Sequence, residues 1–103
     1  MSNFLLELEK IIKTRKDKDV KKSYTAFLLS KGFKESLSKF KEEAEEFSEA
    51  IQNNENIVPE SADVVYHFLV TLESRGIKFS DVINELEKRK NQSGFEEKKG
   101  RKK

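Results

Sequence analysis

A chain of 103 residues, 39% charged and only 35% hydrophobic, is one domain with little apolar material for a core. Cysteine is absent, which excludes disulfides and thiolate metal sites. Net charge is +2, but residues 96–103 alone hold five basic and two acidic groups, so the rest is near neutral, with 16 basic and 17 acidic side chains; with no dispersed basic face carrying interleaved aromatics, no nucleic-acid partner is expected.

In chain order, Phe4, Leu5, Leu8, Ile11 and Ile12 keep helical spacing and predict a first helix over about residues 3–14. Glu7, Glu9, Lys10 and Lys13 rule out a signal pattern there, and no apolar run approaches ~18 residues. No membrane partner is therefore expected, and the cytoplasm is the default compartment. The connector RKDKDVKK (residues 15–22) is highly charged. Ser23 caps a second helix with Tyr24, Phe27 and Leu28 on its apolar face and Gly32 as its stop. A third helix runs from about Lys34 to Asn53, with Leu37, Phe40, Ala44, Phe47 and Ile51 alternating steps of three and four. Asn53, Asn54, Asn56 and Pro59 turn the chain back. Pro59 suits the first position of a fourth helix, which Gly76 ends. Ser80 and Asp81 begin a fifth, using Val82, Ile83 and Leu86 and lasting to about Arg89. The expectation is an all-α bundle of about five helices in a domain spanning residues 1–91. A basic tail over 92–103 is expected to be flexible.

Two carboxylate pairs stand out, Glu43 with Glu46 and Glu60 with Asp63. Each pair is spaced i, i+3, so its members project from one side of a helix. Antiparallel third and fourth helices bring all four together. Such a cluster repels itself unless it holds a hard cation, and an all-oxygen donor set suits Mg²⁺, with Mn²⁺ as the alternative. The fourth helix sharpens the point. Its apolar residues, Ala62, Val64, Val65, Tyr66, Phe68, Leu69, Val70 and Leu72, cover most of its circumference, as in a central, buried helix. Glu60, Asp63, His67, Thr71 and Ser74 share one narrow strip, and a buried carboxylate needs a partner or a metal. That much apolar surface also exceeds what four short neighbours cover, so a homodimer or larger homo-oligomer is expected to complete the bundle.

These segments resemble a known family. EEAEE followed by ESAD is similar to the EExxE…ExxD motif of the all-α nucleotide pyrophosphohydrolases, which include the MazG-type and dimeric dUTPase-type enzymes. SYTAFLLSKG (residues 23–32) after Arg15-Lys16, ESADVVYHFLVTL (residues 60–72) and LEKRK with SGFEEK (residues 86–98) resemble one branch, phosphoribosyl-ATP pyrophosphohydrolase, across residues 5–100. Lys41 stands where that family usually has glycine. The resemblance implies a MazG-like fold and Mg²⁺-dependent hydrolysis of phosphoribosyl-ATP to phosphoribosyl-AMP and pyrophosphate, the second step of histidine biosynthesis. It assigns Glu43, Glu46, Glu60 and Asp63 to metal binding.

A MazG-type house-cleaning hydrolase of (d)NTPs is the alternative, and a non-catalytic helical module a third reading that the intact acids disfavour. Glu42 and Glu46 are both candidates for the catalytic base. Arg15, Lys22, Tyr24 and Lys39 are the candidate substrate-binding residues. His67 is expected to support an acid from behind rather than to ligate metal. Tyr24 and Tyr66 fit core packing better than base stacking.

Overall fold

The computed structural model describes residues 3–90, which form five helices: α1 (Phe4–Arg15), α2 (Tyr24–Ser30), α3 (Phe33–Asn53), α4 (Ile57–Ser74) and α5 (Phe79–Arg89). No strand occurs among the described residues, and none of these helices is long and apolar enough to cross a membrane. The basic tail expected over 92–103 lies outside the described residues.

The molecule is organised on the hairpin of α3 and α4, the two longest helices. Its turn depends on asparagine. Asn54 and Asn56 both take left-handed backbone conformations (φ 56° and 58°), which Asn tolerates better than most side chains. Glu55 N–H then donates to the carbonyl of Ala50 at 3.1 Å, closing the end of α3. Pro59 is the third residue of α4 rather than the first. It still lies in the opening turn, where a backbone N–H has no helical partner to lose. At the other end Gly76 (φ 70°) donates to Glu73 O and Ile77 donates to Leu72 O, the paired bonds of a Schellman stop. Gly32 (φ 85°, ψ −179°) is the hinge between α2 and α3, in a region that essentially only glycine occupies.

The core is small, as the composition anticipates. Ile12 of α1, Leu28 of α2 and Leu69 and Val70 of α4 form it, flanked by Leu8, Leu29, Tyr66, Phe68 and Phe79. Phe68 packs against Phe40 at a tilt and against Phe79 edge to face, each 6.3 Å away between ring centres. Polar contacts fix the outer helices. Glu9 of α1 accepts the backbone N–H of Phe79 at 2.6 Å and so caps α5. Lys13 and Lys16 converge on the buried carboxylate of Glu73 at 2.9 and 3.3 Å.

Two helix faces differ from the sequence reading. The buried side of α2 is Thr25, Ala26 and Leu28, while Tyr24 is 51% exposed and Phe27 lies near the surface. The face is rotated because Thr25 can enter the core by bonding its hydroxyl to that of Tyr66. On α4, Leu69 and Val70 are buried but Val58 is 78% and Val65 39% exposed. One chain therefore covers only part of the apolar circumference.

Candidate functional site

Helix α3 presents Glu42, Glu43 and Glu46, and α4 runs back past them with Glu60 and Asp63. The hairpin brings carboxylate oxygens of Glu43, Glu60 and Asp63 to within 4.8 Å of one another. One oxygen each of Glu43 and Glu60 is buried with no hydrogen-bond partner. Burial raises the Glu43 carboxyl above its ordinary value, helped by the charges of Glu46, Asp63 and Glu42 and opposed by His67. Burial also raises Glu60, with Glu46 and Asp63 adding to it. Three oxygen donors converging with two unsatisfied buried oxygens fit a hard divalent cation, which would return the charge lost to burial. Glu46 is the fourth acid. It lies beside Glu60, on the rim of an acidic groove of about 400 Å³ shared with Glu49 and Asn56. Glu42 pairs with Lys39, 3.6 Å from its ammonium group.

Behind the acids lies a histidine relay. His67 is buried, and its Nδ1 is 2.9 Å from the backbone carbonyl of Asp63. A carbonyl only accepts, so Nδ1 carries a proton and donates to it, while Nε2 and the Tyr24 hydroxyl lie 3.2 Å apart, within hydrogen-bond reach. His67 thus supports the main chain of an acid rather than its carboxylate, and its second nitrogen is already engaged. Tyr24 stands at the border of two environments. Desolvation raises its hydroxyl pKa; the Lys39 cation opposes this, and Glu43 and Glu42 add to it.

On the far side of Tyr24 is an open cleft of about 540 Å³. Arg15, Lys22 and Tyr24, three of the four substrate-binding candidates, line it together, whereas Lys39 remains on α3 with Glu42. The sequence reading missed Lys18, which lines the same cleft. Its only signal was its place in the charged connector. The reading also missed Glu73, which lies off the acid strip and pairs with Lys13 and Lys16.

A model of the phosphoribosyl-ATP pyrophosphohydrolase family matches residues 5–90, a span that contains every one of these side chains. The chain belongs to that family. Relatives named phosphoribosyl-ATP pyrophosphatase agree with this. The one from Hydrogenovibrio crunogenus is 44% identical over 110 aligned positions, covering all of this chain and 97% of its own length. That of Paracoccus denitrificans is 44% identical over 95% of this chain and 93% of its own, and that of Roseobacter denitrificans 46% over 84% and 85%. No solved structure gives a significant match. Membership makes this pyrophosphohydrolase a hydrolase acting on a phosphoanhydride. The Lys41 side chain is exposed on α3.

Proposed function

We infer that this pyrophosphohydrolase converts phosphoribosyl-ATP and water into phosphoribosyl-AMP and pyrophosphate, the second step of histidine biosynthesis, with Mg²⁺ or Mn²⁺ held by Glu43, Glu46, Glu60 and Asp63. The observation that carries the reading is the convergence of Glu43, Glu60 and Asp63 with two buried oxygens left unsatisfied. When bound, the cation would neutralise phosphate charge and align the pyrophosphate leaving group. The chain's own residues do the rest. Carboxylates carried on two packed helices hold their positions without reorganising. His67 pins the backbone of Asp63 and keeps that carboxylate aimed at the cluster. Glu42 is engaged with Lys39, which leaves Glu46, exposed at the rim beside Glu60, to take the proton from the attacking water. The water oxygen bonds to the α-phosphorus as the bond to the bridging oxygen breaks.

The active form is a homodimer or larger homo-oligomer. The exposed Val58 and Val65 on α4 and the small core support this, since a second copy would bury what one chain leaves in water. Pyrophosphate release from phosphoribosyl-ATP, measured beside the eight common nucleotides with and without Mg²⁺, tests the function. Turnover of phosphoribosyl-ATP alone is expected. Preference for a dNTP or NTP would transfer the chain to the house-cleaning role.

A further inference from the structure

Two poles of opposite chemistry flank the Tyr24–His67 pair. On one side the carboxylates converge; on the other, Arg15, Lys18 and Lys22 line one cleft against the single carboxylate of Asp19. The cations are not scattered on a loose loop. Lys18 N–H donates to Arg15 O at 3.0 Å, the carbonyl of Asp19 accepts from Lys22 and Ser23 at 2.9 and 3.0 Å, and its Oδ1 accepts from Lys21 N–H at 2.9 Å. Successive turns thus gather three like charges onto one wall. Lys13, Lys16, Lys39 and Lys88 each have a carboxylate within 4.0 Å, whereas Arg15, Lys18 and Lys22 form no ion pair among the described residues. Three like charges set against one carboxylate remain under-compensated, and an anion relieves them.

The triphosphate is not that anion if it is bound at the acids, where a cation already answers its charge. Phosphoribosyl-ATP carries a second anion, the phosphomonoester of the ribose attached to its base, at the far end of the molecule. A plain nucleoside triphosphate lacks it. Resting on the function inferred above, we propose that the cleft of Arg15, Lys18 and Lys22 binds this phosphomonoester and so selects phosphoribosyl-ATP over nucleoside triphosphates. Tyr24 and Tyr66, which line the same cleft, supply an apolar wall between the two poles. Arg15 gives the planar fork suited to a phosphate, and the two lysines act as point charges.

The test compares phosphoribosyl-ATP with ribosyl-ATP, the same molecule without the phosphomonoester, on the wild type and on Lys18→Gln/Lys22→Gln. The wild type is expected to prefer phosphoribosyl-ATP in kcat/KM by roughly 10- to 100-fold, the range for a charge-assisted hydrogen bond. The variant should lose most of that preference, with KM for phosphoribosyl-ATP rising well beyond any rise in KM for ribosyl-ATP. Retained turnover of ribosyl-ATP also reports a folded protein. Arg15→Gln alone, read the same way, serves if the double variant does not fold. Equal losses on both substrates would overturn the proposal by moving the cations to the triphosphate, and an unchanged preference would overturn it too. A wild type inactive on phosphoribosyl-ATP but active on another nucleotide would instead defeat the inferred function on which the proposal rests.

Discussion

Glu60 and Asp63 are three residues apart on one helix, yet only Glu60 has an oxygen that is buried and without a partner. Both are proposed to hold the metal, so Glu60→Gln or Asp63→Asn should lower kcat at least ~100-fold, equivalent to about 3 kcal/mol of transition-state stabilisation. Near-normal turnover by either variant would remove it from the site. The raised carboxyls of Glu43 and Glu60 add a stability signature. A carboxyl whose pKa is higher in the folded state than the ordinary 4.5 is stabilising below that value, and the contribution is lost as pH rises through the raised pKa. In chelator, Glu60→Gln should therefore melt higher than wild type at pH 8, and the gap should close near pH 4.5. Mg²⁺ at pH 8 should raise the wild-type Tm and move the variant less. Thermal melts across that range check both, and a metal-free wild type more stable than Glu60→Gln at pH 8 would contradict the strained cluster.

Between elements, α1 is tied to α4 by charge as well as by Ile12. The Glu73 side chain is only 4% exposed, whereas Lys13 and Lys16 are about half exposed, at 46% and 53%. Solvent screens each lysine, so Lys13→Met alone should cost no more than about 1 kcal/mol, a fall in Tm of roughly 4–8 °C. Lys13→Met/Lys16→Met strands a buried carboxylate and should cost more than the two single changes together. The hydrogen bond from Lys13 to Glu73 raises the Lys13 pKa above 10.5 against the opposing effect of burial. Its contribution is full below pH 10.5 and is lost as pH rises through the raised value, so wild type and Lys13→Met should converge in Tm at strongly alkaline pH. A second element-scale test is Gly32→Ala. No atom lies within 4 Å of the added methyl group, so the change probes backbone conformation alone and should cost about 1–3 kcal/mol in chemical denaturation.

For the whole molecule, the decisive quantity is the number of chains. Among the described residues the buried apolar side chains are Ile12, Ala26, Leu28, Ala50, Leu69 and Val70, a thin core, and large apolar side chains remain at the surface on α1, α4 and α5. Light scattering at micromolar concentration should give at least twice the 12.0 kDa chain mass. A stable monomer with full activity would refute the oligomer. Val58→Asp, on the most exposed apolar residue of α4, should shift that equilibrium toward monomer if α4 is the contact.

Helix number and order, and the asparagine and glycine turns, were legible in the sequence because they depend on local chemistry: a helical repeat of apolar residues, a capping serine, a left-handed asparagine or glycine. The acid pairs were legible for the same reason, since i, i+3 spacing needs no partner to be recognised. The contacts that the fold adds were not. That three of the four acids meet while Glu46 stands beside them depends on how far α4 slides along α3. The sequence records the face of each helix but not that register. The turn of α2 that buries Thr25 and exposes Tyr24 follows from a hydroxyl pair with Tyr66, 41 residues away. Glu73 was silent because a glutamate on a helix gives no sign of being buried until Lys13 of α1 and the adjoining Lys16 reach it. The cationic cleft depends on backbone turns within the connector, which composition reveals only as charge. Periodicity and spacing are properties of one segment and can be read from it. Register, burial and the pairing of distant charges are properties of two segments at once, and only the tertiary structure decided them.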